Sequence, residues 1–488
     1  MKIYRLNRLI CKFRLNTSDK KTEHYPKEMN KFTKYYFLGI GGIGMSALAR
    51  YFHMKGFQVA GYDRTVTKLT SDLITEGIRV SFNEDVEEIQ FVFTRSENTL
   101  VIVTPAVPGD HPQLKYFQDN NFTIQKRAQV LGNITRQSKG ICIAGTHGKT
   151  TTSTITAHLL YQSQVSCNAF LGGIANNYNT NLLLSLESNL VVIEADEYDR
   201  SFHQLSPYMA VITSVDPDHL DIYKTAKAFR ESFEYFTSLI RPGGALVMRK
   251  GIDIVPQLQK GVKLYTYSMD EGGDFCAENV RTKNGEIRFD FVTPNDRIAD
   301  VRLGVPVQIN VENSVAAMAL AWLNGVTNEE LRTGISSYSG IYRRFNVVYK
   351  SDKIVFMDDY AHHPSELRAS ISSIRNLYPD RKITGIFQPH LYSRTRDFAP
   401  AFAEALSLLD ELILLDIYPA RELPIKGVDS GMILRDVKLK NKILCSKENL
   451  LPLLKEKQLD VLVTFGAGDI DKLVPLIKDQ LKKTAIDK

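Results

Sequence analysis

Apolar residues fall into short continuous runs, separated by stretches where glycine, proline and charged residues cluster. Runs over residues 34–40, 58–61, 99–103, 141–144, 189–193, 209–213, 353–357, 382–387, 411–415 and 461–465 are too short for helices. Their unbroken apolar character predicts strands buried on both faces of parallel sheets. Helices are expected over 45–55, 153–161 and 311–323. Strands alternating with helices describe a doubly wound α/β chain. Between 245 and 291 short runs at 245–248, 263–267 and 287–291 are separated by turns, the last alternating apolar with polar residues, which predicts a small β-rich excursion from a central parallel sheet. A length of 488 residues is too great for one core. The expected division is a basic, disordered extension at 1–30, then α/β domains at 31–137, 138–338 and 339–488.

Composition removes several function classes. The net charge of +6 is concentrated at the start, where residues 1–28 carry eight Lys and Arg against three acids. The rest of the chain is nearly neutral, so a basic nucleic-acid-binding body is not expected. Residues 1–28 lack the apolar core of a signal peptide, and Met29 stands as a candidate start. No run of eighteen apolar residues occurs, so no membrane span is expected. Five scattered cysteines, without a Cys-x-x-Cys pair, suit a reducing cytoplasm rather than a disulfide framework or thiolate zinc site.

The chemistry gathers at the strand ends. After the run at 141–144 comes Gly145-Thr146-His147-Gly148-Lys149-Thr150-Thr151-Thr152, leading into a helix. Glycines let backbone N–H groups close around phosphate oxygens, with the helix N-terminus behind them. Lys149 then reaches the β- and γ-phosphates of a nucleoside triphosphate, and the Thr150 hydroxyl reaches Mg²⁺. The loop is shorter than the general pattern, whose first glycine position is occupied here by Ile143. The alternative is an ordinary strand–turn–helix joint with a surface lysine. The run at 34–40 ends in Gly39-Ile40-Gly41-Gly42-Ile43-Gly44, with Asp63 after the next strand, a dinucleotide-type fingerprint that any nucleoside diphosphate can use. Thr104-Pro105-Ala106 follows another strand of the same unit. Glu194-Ala195-Asp196-Glu197 and Asp218-His219 end two central strands, where carboxylates suit magnesium. For each, a solvated acidic loop or a core histidine is the alternative. Asn310 and Asn313 read as helix caps that can also touch adenine.

These stretches, with Arg343-Arg344-Phe345, Asp358-Asp359-Tyr360-Ala361-His362-His363-Pro364 and Gln388-Pro389-His390, resemble the motifs of the Mur ligases in order, from about residue 34 to the end. The resemblance implies ligation of L-alanine to the lactyl carboxylate of UDP-N-acetylmuramate, with ATP and Mg²⁺, through an acyl phosphate. It implies UDP-sugar binding by Gly41, Gly42, Ile43, Gly44, Asp63, Thr104, Pro105 and Ala106. ATP would lie against Gly145, Thr146, His147, Gly148, Lys149, Thr150 and Thr151, with Asn310, Asn313, Arg343, Arg344 and Asp359 around the adenosine. Thr150, Glu194 and His219 would ligate Mg²⁺, and Lys149 and His219 would be catalytic. Tyr360, His362, His390 and Arg394 would receive the amino acid. A cytoplasmic monomer or weak homodimer is implied, with no nucleic-acid or membrane partner. Ile309, Ala361 and Leu391 depart from the family pattern, and Leu391 leaves Arg394 or Arg396 to hold the amino-acid carboxylate. The competing readings are a related ligase that recycles a tripeptide onto UDP-muramate, a nicotinamide-dependent oxidoreductase and a nucleotide-binding scaffold.

Overall fold

The computed structural model describes residues 31–486 apart from 271, 284 and 421. The expectations for residues 1–30, including Met29, lie outside the described residues. The chain divides into two compact units. One holds the described part of Met1–Glu278 with Asp290–Val301 and Glu312–Ser337; the other holds Asn279–Phe289, Arg302–Val311 and the described part of Tyr338–Lys488.

The first unit contains two sheets built around the predicted apolar runs. A five-stranded parallel sheet has the order Arg79–Ser81, Gln58–Tyr62, Lys34–Leu38, Thr99–Val103, Thr123–Lys126. Chain direction across the sheet reverses between Lys34–Leu38 and Thr99–Val103, which opens a crevice at their C-terminal ends. The glycine turn and Thr104–Ala106 both emerge there. In the second sheet Lys139–Ala144 lies between Leu190–Glu194 and Met209–Ile212, all parallel. Asn168–Ala175 and the antiparallel Thr180–Leu183 extend one side. Ala245–Arg249 and Lys263–Ser268 extend the other side as parallel strands. These two segments, expected in the excursion, therefore continue the central sheet. Helix Ala226–Ser238, with its apolar face of Phe229, Phe233 and Phe236, supplies the crossover that makes this possible. The strands Phe275–Lys283, Glu286–Val292 and Arg297–Arg302 fall in the stretch that is divided between the two units.

One apolar cluster runs through both sheets, from Phe37, Phe52 and Leu100 to Phe170, Ile193 and Phe236. Helix Ile43–Met54 turns Met45, Leu48, Ala49 and Phe52 into it. Arg50 of the same helix is buried yet satisfied, bonding Glu76 at 2.7 Å and Asn181. Asn181 in turn donates to the Ile43 carbonyl at 2.6 Å. A strand of the central sheet thus holds the helix that follows the first glycine turn.

In the second unit a six-stranded sheet has the order Asn346–Lys350, Val355–Asp359, Val461–Phe465, Ile383–Phe387, Glu411–Leu414, Lys442–Leu444, parallel except for the first strand. Phe356, Ile386, Ile413, Leu462 and Ile477 form its core. The four strands expected from the sequence are its four central strands.

Candidate active site

The loop after Lys139–Ala144 has a shape only glycine permits. Gly145 takes φ +139° and Gly148 takes φ +80°. A Cβ on Gly145 would stand 2.0 Å from Thr213 Oγ1, and one on Gly148 would stand 2.6 Å from Asn313 Oδ1. The neighbouring strand end braces the loop. Ser214 Oγ accepts from the His147 N–H at 2.9 Å, and Thr146 Oγ1 donates to the Asp216 carbonyl at 2.7 Å. Helix Lys149–Gln162 begins at Gly148 with no side-chain cap, so its first N–H groups are left for a ligand. Thr151 lies in the helix's first turn.

Lys149 is folded back into this loop. Its Nζ donates to the Gly145 carbonyl at 2.6 Å, to the Thr146 carbonyl at 3.3 Å and to Glu197 Oε1 at 2.8 Å. The Glu197 side chain is 3 % exposed. Burial pushes its carboxyl up, against the pull of the Lys149 ammonium. Its Oε2 has no hydrogen-bond partner among the described residues, while its carbonyl accepts from the Tyr223 hydroxyl. Thr150 Oγ1 donates to Glu194 Oε1 at 3.1 Å. Gly172 makes room for that carboxylate, since a Cβ there would come within 1.9 Å of Glu194 Oε2.

His219 has contacts of its own. Its Nε2 is 3.8 Å from Asp218 Oδ2 and its ring meets Tyr198 edge-on at 5.2 Å. No hydrogen bond or ion pair joins it to Thr150 or Glu194 among the described residues. Nor do three His, Cys, Asp or Glu side chains gather there into a metal cage. Thr150 and Glu194 still fit Mg²⁺, which takes hard oxygen donors and uses one or two carboxylates together with substrate phosphates and water. An imidazole is a softer donor than that ion favours.

The first glycine turn is built differently. Gly39, at φ +84°, lies against Thr104, whose Cγ2 would be 2.4 Å from an added Cβ. That contact brings Thr104 to the turn, while Pro105 and Ala106 stay exposed. Asp63 folds back onto the turn, accepting from the Gly41 N–H at 2.7 Å and the Thr65 N–H at 3.0 Å. Gly42 has an ordinary φ of −63°, and a Cβ there would meet nothing closer than 3.6 Å. The fold does not demand glycine at 42, and the bare backbone there leaves room for close approach of a ligand. Ile43 is 37 % exposed, and Gly44 is covered by the guanidinium of Arg127.

In the second unit the expected amino-acid residues come together at two strand ends. Tyr360 and His362 rings lie 5.2 Å apart, His362 and His390 6.2 Å, and Arg394 Nη1 is 3.4 Å from His390 Nδ1. Asp397 pairs at 2.7 Å with Arg396, not with Arg394. Leu391 takes φ +72° at the start of helix Tyr392–Leu406. Asp359 is half-buried, its desolvation raises its carboxyl, and Ser370 donates to it. Arg343 is committed within this unit. It donates to the Gly466 and Gly468 carbonyls, lies 3.5 Å from Asp471 and covers the Tyr360 ring at 5.0 Å. Arg344 is exposed. Asn310 is buried and donates to the Val305 carbonyl at 3.3 Å. Asn313, in the first unit, accepts from Thr152 at 3.3 Å beside the phosphate loop. Arg127, Asp196, Glu197 and Gly172 escaped the sequence reading as individual residues. For Asp196 and Glu197 the signal was the spacing of acids in 194–199.

The chain matches three family models in sequence: "Mur ligase family, catalytic domain" over 34–139, "Mur ligase middle domain" over 143–321 and "Mur ligase, glutamate ligase domain" over 343–468. It is 59% identical over 456 residues to the UDP-N-acetylmuramate–L-alanine ligase of Parabacteroides distasonis, covering 93% of this chain and 99% of the relative. The enzyme of that name from Porphyromonas gingivalis is 56% identical over 451 residues, covering 92% and 99%. Among solved structures, UDP-N-acetylmuramate-alanine ligase MurC from Thermotoga maritima superposes with a TM-score of 0.78 at 26% identity, covering 92% of this chain and 99% of that one. A murein peptide ligase from Psychrobacter arcticus shares the fold, with a TM-score of 0.64 at 21% identity over 92% and 98% of the two chains. With its three sheets, its glycine turns and these matches running nearly end to end, the chain belongs to the Mur ligase family.

Proposed function

We propose that the protein joins L-alanine to the lactyl carboxylate of UDP-N-acetylmuramate, converting ATP to ADP and phosphate. The observation that carries this reading is the loop 145–150, where a lysine, a threonine hydroxyl and two glutamates converge on a glycine-shaped helix start. The high identity to enzymes named for that reaction supports the choice of substrates. A carboxylate is a poor acyl donor. Transfer of the γ-phosphoryl to it makes an acyl phosphate, and the alanine amine then attacks the carbonyl carbon and expels phosphate. Lys149 neutralises charge on the transferring phosphoryl, and the loop N–H groups hold the phosphate chain in line. Thr150 and Glu194 hold Mg²⁺, which when bound supplies Lewis-acid charge neutralisation at the phosphates. His219 is assigned to the same ion or to the amine proton, of which the second suits an imidazole better. Gly41–Gly44 with Thr104–Ala106 receive the UDP moiety. Asn310, Asn313, Arg343, Arg344 and Asp359 frame the adenosine, and Tyr360, His362, His390 and Arg394 receive alanine.

The proposed domains are 31–137, 138–338 and 339–488. A cytoplasmic monomer or weak homodimer is the proposed form, and no helix among the described residues is long and apolar enough to cross a membrane. Phosphate release with ATP, UDP-N-acetylmuramate and L-alanine, and not with the tripeptide, is the expected result. Arg394→Lys tests the alanine side, because a lysine keeps the charge but loses the planar fork that grips a carboxylate. It should raise KM for L-alanine about 10-fold, the loss of roughly one charged hydrogen bond. KM for ATP should stay unchanged; preference for the tripeptide would instead assign the recycling reaction.

A further inference from the structure

We propose that Arg127 is the cation that grips the diphosphate of the first nucleotide, and that Asp196 is the positioning residue that aims it. This inference rests on the reading that the 39–44 turn binds a UDP moiety.

The turn has given up part of its own capacity for an anion. The Asp63 carboxylate takes the Gly41 N–H at 2.7 Å and sets a negative charge beside the N–H groups that would otherwise face phosphate. No lysine or arginine lies within residues 39–44 to offset it. A diphosphate carries at least two charges, so a turn of this kind needs a cation from outside.

Arg127 stands in that position. Its Nη1 lies 2.4 Å and its Cδ 3.1 Å from where a Cβ on Gly44 would be, so the guanidinium lies against the first turn of helix Ile43–Met54. Asp196 Oδ2 accepts from Nη2 at 3.1 Å, and the Arg127 side chain is 28 % exposed. The Nε and Nη1 groups donate to no protein acceptor among the described residues. One edge of the fork is anchored and its remaining donors are left beside the turn, as bidentate phosphate recognition requires.

The local electrostatics point the same way. Arg127 opens helix Arg127–Gln137, preceded by Lys126. Cations at a helix start face the positive end of its dipole, and the start of helix Ile43–Met54 faces the same guanidinium. Asp196 on Arg127 and Asp199 on Lys126, at 3.2 Å, offset part of this. A bound diphosphate offsets the rest. Asp196 lies between Glu194, bonded to Thr150, and Glu197, bonded to Lys149. One acidic segment, 194–199, therefore orients a cation for each nucleotide.

Equilibrium titration of the full chain with UDP and with uridine tests the assignment. Arg127→Gln should weaken UDP by about 10- to 100-fold, the loss of a charge-assisted hydrogen bond, and leave uridine unchanged. Arg127→Lys should recover part of the loss. Asp196→Asn should weaken UDP by a smaller factor, about 3- to 10-fold, and add nothing in the Arg127→Gln background, since it acts through that side chain. Unchanged UDP binding in Arg127→Gln overturns the proposal, as does an equal loss of UDP and uridine, which marks a structural role. Gly42→Ala separates the proposal from the reading beneath it. Weaker UDP binding in Gly42→Ala with none in Arg127→Gln keeps the turn and sinks Arg127; UDP binding untouched in both sinks the turn as well.

Discussion

The two glycine turns of the first unit solve one problem in opposite ways. Each follows a central parallel strand and opens a helix without a side-chain cap. Each has a carboxylate folded onto it, Glu197 on the Lys149 ammonium and Asp63 on the Gly41 N–H. The loop at 145–150 carries its own cation, locked by two carbonyls and a buried acid. The turn at 39–44 has none and borrows a guanidinium from a later helix. A self-contained loop tolerates little change, because its glycines and its lysine are all fixed by contacts. The borrowed arrangement spreads the same task over separate elements, so single changes there should cost less.

Lys149→Ala is the severest break. It removes the only cation within the loop, and kcat/KM for ATP should fall by about 10³-fold or more, in the range seen when a transition-state donor is lost. Circular dichroism and UDP binding should stay at wild-type values; normal turnover would remove the ATP assignment. Next comes a contrast between glycines. Gly145→Ala forces an L residue to φ +139° and drives a Cβ into Thr213 and the 213–214 backbone. That should destabilise the first unit by about 2–4 kcal/mol through strain and overpacking. Gly42→Ala meets no such obstacle and should change stability by less than about 0.5 kcal/mol while still weakening UDP. Urea denaturation of both variants checks the pair. Equal losses would erase the distinction between a glycine kept for the fold and one kept for the ligand.

The same contrast explains what was legible in the sequence. Lys149, Thr150 and their glycines lie within eight residues, so spacing alone brought them together. The strand ends of the second unit were legible for a similar reason, since parallel strands deliver their C-terminal residues to one edge. Arg127 was not, because only tertiary packing sets it on Gly44, and nothing in Gln125-Lys126-Arg127-Ala128 marks it as different from a surface pair. Spacing places Asp63 in the dinucleotide-type fingerprint, and the structure adds that its carboxylate turns to the Gly41 N–H; spacing does not report where a side chain hydrogen-bonds. His219 is expected beside Thr150 and Glu194 from strand order, and in the structure its neighbours are Asp218 and Tyr198; strand order places a residue at a sheet end without fixing which way its ring turns. The strands Ala245–Arg249 and Lys263–Ser268 are expected in a separate β-rich excursion, yet both pair parallel inside the ten-stranded sheet, with three or more strands beyond them on either side; run length and turns do not report which neighbour a strand pairs with.

A milder change probes the internal acid of the first loop. Glu197 and a phosphate both seek the Lys149 ammonium, so Glu197→Gln removes a competitor as well as a partner. The ligand-free protein should lose about 1–3 kcal/mol, because a nearly buried ammonium is left with two carbonyls. ATP should then raise the thermal midpoint more in the variant than in the wild type. Equal ATP-induced shifts would mean that Glu197 keeps its hold on Lys149 when nucleotide binds, and that the two turns differ more than their shared carboxylate suggests.

The smallest effect is expected at the matching acid of the other turn. Asp63 is partly exposed and commits its two oxygens to the Gly41 and Thr65 N–H groups. Asp63→Asn keeps one good acceptor and removes the negative charge beside the diphosphate. For a solvent-screened charge the gain is roughly 0.5 kcal/mol, which corresponds to about two- to threefold tighter UDP binding, larger at low ionic strength. Uridine, which carries no phosphate, should bind as before. A different result has a distinct meaning. If Asp63→Asn weakens UDP and uridine alike, the carboxylate swings from Gly41 to a ribose hydroxyl on binding, and the Gly41 N–H is released to phosphate at the same moment. Titrations of the two ligands at two salt concentrations separate these cases, because repulsion from a diphosphate is screened and a ribose hydrogen bond is not.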